Sequence, residues 1–90
     1  MERKASESGL RKRYVEVRAE LRRGRMEPVE VRCGDKAYEI DRVLGVAKKA
    51  SALGGHGLRW ECVILGKVRY LFQELPYDRE PEKWFVESRM

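Results

Sequence analysis

Every second residue from Val15 to Leu21 is apolar: Val15, Val17, Ala19 and Leu21 alternate with Glu16, Arg18 and Glu20. Successive side chains of a strand point to opposite faces, so this spacing predicts a strand with one side on a core. Arg22, Arg23, Gly24 and Arg25 follow as a polar turn. Pro28 then opens a second run in which Val29, Val31 and Cys33 alternate with Glu30 and Arg32, and the two strands are expected to pair antiparallel.

The sharpest local signal is the stretch from Cys33 to Ile40, where Gly34-Asp35 separates two alternating runs and supplies the positive φ that a tight hairpin needs. Its second arm continues through Tyr38, Ile40, Arg42 and Val43 to Val46. A strand of that length is expected to bend or cross between sheet faces, with Gly45 as the candidate position. Leu65-Gly66 repeats the turn device between Leu58–Leu65 and Val68–Gln73, and a last strand, Lys83–Glu87, carries Trp84, Phe85 and Val86 after a proline-bounded loop. Val46, Ala50 and Leu53 lie on one helical face, so 46–53 is either one turn of helix or an irregular loop. The pattern predicts an all-β fold: a five- to six-stranded antiparallel meander forming a small SH3-like barrel or partly open sandwich.

Residues 1–12 hold only Met1, Ala5 and Leu10 as apolar side chains, too few to offset the entropy of ordering them, and are read as a flexible basic arm ahead of a single β-barrel domain over residues 13–90. Charge sharpens that picture. The first 25 residues hold nine Lys or Arg against four Glu, whereas the remaining 65 hold eleven of each sign, so the whole net charge of +5 is local to the arm and first strand. Clustered positive charge points to an acidic partner, nucleic acid being the commonest. With 90 residues and 42% hydrophobic content the core is small, which leaves room for stabilisation by a partner chain. Two cysteines are too few for a disulfide framework, no apolar run reaches membrane-spanning length and no signal-peptide stretch is present, so the chain reads as soluble and cytoplasmic with reduced thiols.

Several motifs invite chemistry and are outweighed by plainer readings. Gly54-Gly55-His56-Gly57 behind Lys48 and Lys49 resembles a phosphate nest but lacks the Gly-Lys-Ser/Thr ending of a nucleotide loop, and is read as a connection between strands. His56 is the only histidine, and a zinc site would have to gather it with Cys33, Cys62 and a carboxylate from distant positions. Both cysteines fall in phase with the apolar face of their strands, which predicts buried, unbridged thiols. Trp60, Tyr70, Phe72, Trp84 and Phe85 alternate as core residues rather than as a base-stacking platform, while Tyr14, Tyr38 and Tyr77 are read as surface aromatics. Glu39 and Asp41 read as members of a solvated salt-bridge ladder. No catalytic constellation, cofactor motif or metal-ligand set emerges.

The stretch Pro28-Val29-Glu30-Val31-Arg32, the turn at Gly34 and then Tyr38-Glu39-Ile40-Asp41-Arg42-Val43-Leu44 resembles the opening of a family of small uncharacterised bacterial β-rich proteins. Their pattern is a proline-led strand, a glycine turn and Tyr-x-Val/Ile-x-x-Val-Leu. Tyr70-Leu71-Phe72 and Trp84-Phe85-Val86 look like that family's later strands, so the resemblance runs from about Pro28 to Glu87 and is carried by strand and turn residues. It implies a fold, and a bacterial setting near DNA repair polymerases. It assigns no catalytic or binding residue.

The function expected from these features is that of a non-enzymatic small β-barrel module that binds DNA or RNA. Arg11, Lys12 and Arg13 at the foot of the first strand and Arg22, Arg23 and Arg25 at its turn would contact phosphates, joined by Lys48 and Lys49 if the fold brings them near. The alternative is a protein–protein interaction subunit that uses an exposed strand edge or aromatic patch.

Overall fold

The computed structural model describes residues 10–48, 57–75 and 82–89. They form seven strands: β1 (Leu10–Arg22), β2 (Arg25–Cys33), β3 (Lys36–Glu39), β4 (Arg42–Lys48), β5 (Gly57–Ile64), β6 (Lys67–Glu74) and β7 (Lys83–Arg89). All pairings are antiparallel, in the order β3-β2-β1-β7-β6-β5-β4. The sheet curls into a half-barrel. β1 is shared between two sub-sheets: its first half, Leu10–Val15, pairs with β7, and its second half, Glu16–Arg22, pairs with β2.

The two sheet ends, β3 and β4, are consecutive in the chain, and their junction brings them together. Ile40 N–H continues the β2–β3 ladder by donating to Val29 O at 2.9 Å, and the next amide, Asp41 N–H, donates to Val63 O on β5 at 2.8 Å. Consecutive amides of an extended chain point to opposite edges, so one bent segment joins β2 on one side to β5 on the other. This corrects the expected strand count. The single long strand read from Ala37 to Val46 is divided at Ile40–Asp41, which makes seven strands rather than five to six. The crossing falls there, and not at Gly45, because Ile40 is drawn into the core. Gly45 instead adjoins a bulge that leaves Leu44 out of the β4–β5 register.

Tight turns set the hairpins. Arg23 (φ +55°) and Gly24 (φ +79°) are both left-handed, as are Leu65 (φ +53°) and Gly66 (φ +75°), which is the type I′ arrangement that matches strand twist. At the Gly34-Asp35 turn only Gly34 is left-handed, at +65°, and the expected register holds: Val31 faces Tyr38, Arg32 faces Ala37 and Cys33 faces Lys36. β2 begins at Arg25, three residues before Pro28. Pro28 lies inside the strand because an irregularity opposite Arg18/Ala19 interrupts the ladder, where a missing N–H is tolerated. Leu10, Arg11 and Lys12, read as part of the arm, belong to β1 and pair with Arg89, Ser88 and Glu87; residues 1–9 lie outside the described residues. Val46, Ala47 and Lys48, expected to enter a helical turn or loop, continue β4, and the rest of that segment also lies outside the described residues.

Val31, Ile40, Trp60, Cys62, Leu71 and Trp84 form the buried core, bordered by Val15, Val17, Val43, Val46, Leu58, Ile64 and Val86. Trp60 and Trp84 meet at 6.2 Å between ring centroids. On the opposite face Phe72 stacks on Phe85 at 5.1 Å, and the Tyr14 ring meets Phe85 edge-on at 5.6 Å. Of the five aromatics expected inside, Tyr70 is the exception. It is 43% exposed: Leu71 points into the core, and of the two aromatics on the other face of β6 only Phe72 is covered, by Phe85 of β7, whereas Tyr70 lies before the first β6–β7 pair.

Candidate nucleic-acid interface

Antiparallel pairing sorts the expected basic residues between two ends of the half-barrel. Arg11, Lys12 and Arg13 begin β1, while Arg22, Arg23 and Arg25 occupy its far end, roughly 30 Å away at about 3.3 Å of rise per residue. They do not form one surface. Lys48 ends β4 on the hairpin side, since it faces Leu58 at the start of β5 and that start pairs with the C-terminal end of β6. The Arg25 guanidinium lies over the Trp60 ring at 5.5 Å, and Trp60 faces Val46, two residues before Lys48. The curl thus places Lys48 at the same end as the arginine turn. Lys49 lies outside the described residues.

Lys12 is engaged within the fold. Its Nζ donates to Glu74 Oε2 at 2.8 Å and lies 4.8 Å from the Phe85 centroid, while Tyr14 Oη donates to Glu74 Oε1 at 3.1 Å. The Lys12 hydrogen bond holds the Glu74 carboxyl below its ordinary range, against the opposing effect of burial. Arg11 and Arg13 make no ion pair with a described residue.

The hairpin end is a ladder of alternating charge. Arg18 and Arg22 both hydrogen-bond Glu20, and these donors lower the Glu20 carboxyl pKa, that of Arg18 most. Arg18 also approaches Glu30 at 3.6 Å, and Arg32 reaches the same carboxylate at 3.9 Å. The salt-bridge ladder expected around Glu39 and Asp41 is found here, across β1 and β2. Glu39 instead faces Glu30, and Asp41 lies at the corner. Arg25 donates to the buried carboxylate of Glu27 at 3.0 Å. Arg23, at the apex, has no ion-pair partner among the described residues.

Behind that apex sits an apolar pair, of which strand periodicity assigns Leu21 to the core side. Leu21 and Met26 face each other across the hairpin and are 71% and 56% exposed. They lie beyond the rim of the barrel, and nothing in the spacing of Leu21 separates it from Val15 and Val17. A second surface feature escaped sequence reasoning: Arg59 lies over exposed Tyr70 at 4.4 Å, on β5 and β6.

The thiols are unbridged. Cys62 is fully buried and its pKa is pushed up to about 11, by burial first and then by the negative charges of Glu27 and Glu61, which suits a packing residue rather than a nucleophile. Cys33 is half-buried, less enclosed than its spacing predicts. Among the described residues no three His, Cys, Asp or Glu side chains gather as metal ligands; His56 lies outside them. No protein-family model, curated protein or solved structure matches this chain.

Proposed function

We propose that this chain is a small β-barrel module, SH3-like in size, that binds nucleic acid without catalysing a reaction, and that it does so through the tip of the β1–β2 hairpin. The observation that carries this reading is the combination at that tip: Arg22, Arg23 and Arg25 flank a two-residue turn, with the exposed Leu21–Met26 pair directly behind it. A two-stranded ribbon is narrow enough to enter a nucleic-acid groove. Arginines supply bidentate contacts to phosphates, and an exposed Leu or Met can wedge against base steps. Lys48, at the same end, extends the positive surface. Arg22 shares Glu20 with Arg18, so phosphate oxygens can replace carboxylate oxygens there without ordering a new side chain.

The test is binding of single- and double-stranded oligonucleotides across a salt series. The logarithm of affinity should fall linearly with the logarithm of salt, by about 0.9 per phosphate neutralised on duplex DNA. Arg22→Ala with Arg23→Ala should weaken binding and flatten that slope. Arg25 is left in place because it neutralises buried Glu27. Absence of binding to either form at low salt, where the attraction is strongest, would refute the proposal.

A further inference from the structure

The sheet splits between β6 and β7. Their ladder consists of Phe72–Phe85, Gln73–Trp84 and Glu74–Lys83, and goes no further. Beyond Phe72, residues Lys67–Leu71 pair with β5 alone, and beyond Phe85, residues Val86–Arg89 pair with β1 alone. The two strands therefore diverge, and the β6 edge from Lys67 to Leu71 has no strand partner on that side among the described residues. Between them lies a half-open cavity of about 620 Å³ whose walls include Val15, Val31, Ile64, Leu71 and Val86. Three charged side chains also line it: Arg13 and Arg69, both exposed, and one carboxylate, that of Glu87. Neither arginine makes an ion pair with a described residue.

We infer that this cleft is a second binding site, independent of the hairpin tip, which takes an extended acidic peptide segment of a partner protein by strand addition to β6. An unpaired strand edge offers a row of amide and carbonyl groups that an extended chain can satisfy, while alternate side chains enter whatever pocket lies beside it. Here that pocket is apolar, so alternate residues of the guest are aliphatic. Arg13 and Arg69, two positive charges against the single carboxylate of Glu87, set the sign of the others. A guest with Asp or Glu flanking its aliphatic residues meets two arginines, whereas a second copy of this chain, itself at +5, would bring further positive charge. The exposed side chains of Leu65 and Val68 extend the apolar surface past the mouth, which favours a segment longer than the cleft.

The probe is a fluorescein-labelled ten-residue peptide of alternating Asp and Val, compared with its Lys and Val counterpart, with an Asp and Val peptide N-methylated along its backbone, and with a ten-residue oligothymidine. Fluorescence anisotropy should show the acidic peptide binding at least about tenfold more tightly than the basic one, and the N-methylated form losing that affinity. In the free protein, amides of Lys67–Leu71 that point away from β5 should exchange rapidly with solvent deuterium and slow about tenfold or more when the peptide is added. Arg13→Glu with Arg69→Glu should invert the preference between acidic and basic peptides. Arg22→Ala with Arg23→Ala should leave peptide binding unchanged, which separates this site from the hairpin proposal. The inference is overturned if every amide from Lys67 to Leu71 is already protected in the free protein, if the acidic peptide does not bind or binds no better than the other two, or if the oligothymidine alone protects these amides, which would assign the cleft to nucleic acid.

Discussion

Trp60 Nε1–H donates to Gln73 Oε1 at 3.0 Å inside the core, and Gln73 Nε2 passes the connection to Glu82 Oε2 at 2.9 Å. A buried indole is thereby linked, through one amide, to a carboxylate just before β7. The pair ties β5 to β6 by side chains as well as by backbone. Among the described residues no buried side-chain nitrogen or oxygen lacks a partner.

Gln73→Leu keeps the volume but strands the Trp60 N–H. Chemical denaturation should show a loss of about 1–3 kcal/mol, the range for orphaning a buried donor. Trp60→Phe with Gln73→Leu should cost less than the sum of the two single changes, because the orphan disappears with the indole. Simple additivity would mean that the hydrogen bond contributes nothing.

Cys62 predicts an alkaline limit on stability. Its pKa is 9.0 ordinarily and about 11 in the fold, so the folded state favours the neutral thiol. A raised folded value means that the thiol's contribution is fully present below pH 9 and is lost as pH rises toward 11, up to about 2–3 kcal/mol. Cys62→Ala removes that dependence. The stability difference between unaltered protein and variant, followed by denaturant unfolding, should shift in the variant's favour between pH 9 and pH 11 and stay level below pH 8.

Two backbone positions should respond in opposite directions. A Cβ on Gly57 would lie 2.0 Å from the carbonyl oxygen of Gln73, a backbone atom, so Gly57→Ala must displace β5 from β6 and should cost about 2 kcal/mol or more. Leu65 holds a left-handed φ of +53° on an exposed turn. Leu65→Asn should raise stability by about 0.5–1 kcal/mol, since asparagine tolerates that conformation. Thermal unfolding of the two variants reads both effects.

The turn arginines should separate by their partners. Arg23→Ala removes an exposed side chain without an ion pair among the described residues and should change stability by less than about 0.5 kcal/mol. Arg25→Ala leaves the Glu27 carboxylate buried and uncompensated, and should cost about 1–2 kcal/mol, tempered by the half-exposed position of Arg25 itself. Arg25→Ala with Glu27→Gln should recover part of that loss in denaturant unfolding.

What the chain determines by itself is local. The alternation of Val15 to Leu21, the turn residues at Gly24, Gly34 and Gly66, and the phase of Trp60, Cys62 and Trp84 are written in neighbouring positions, because a strand's period and a turn's φ depend on a few adjacent residues. Hence the all-β class, the three tight hairpins and much of the core were legible, whereas on β6 the apolar run from Val68 to Phe72 hides that Leu71, not Tyr70, faces the core. Tertiary structure alone decided where those strands stop facing a core. Leu21 shares its spacing with Val15 and Val17, yet it is exposed because β1 outruns the barrel. The long strand divides at Ile40 because two partners far apart in sequence, Val29 and Val63, take its consecutive amides. The basic residues were equally visible one by one. Their sorting into an arginine turn with Lys48 at one end, and Arg11 and Arg13 at the other, follows from antiparallel register. Register joins residues across separations in sequence over which no pattern of neighbours carries information.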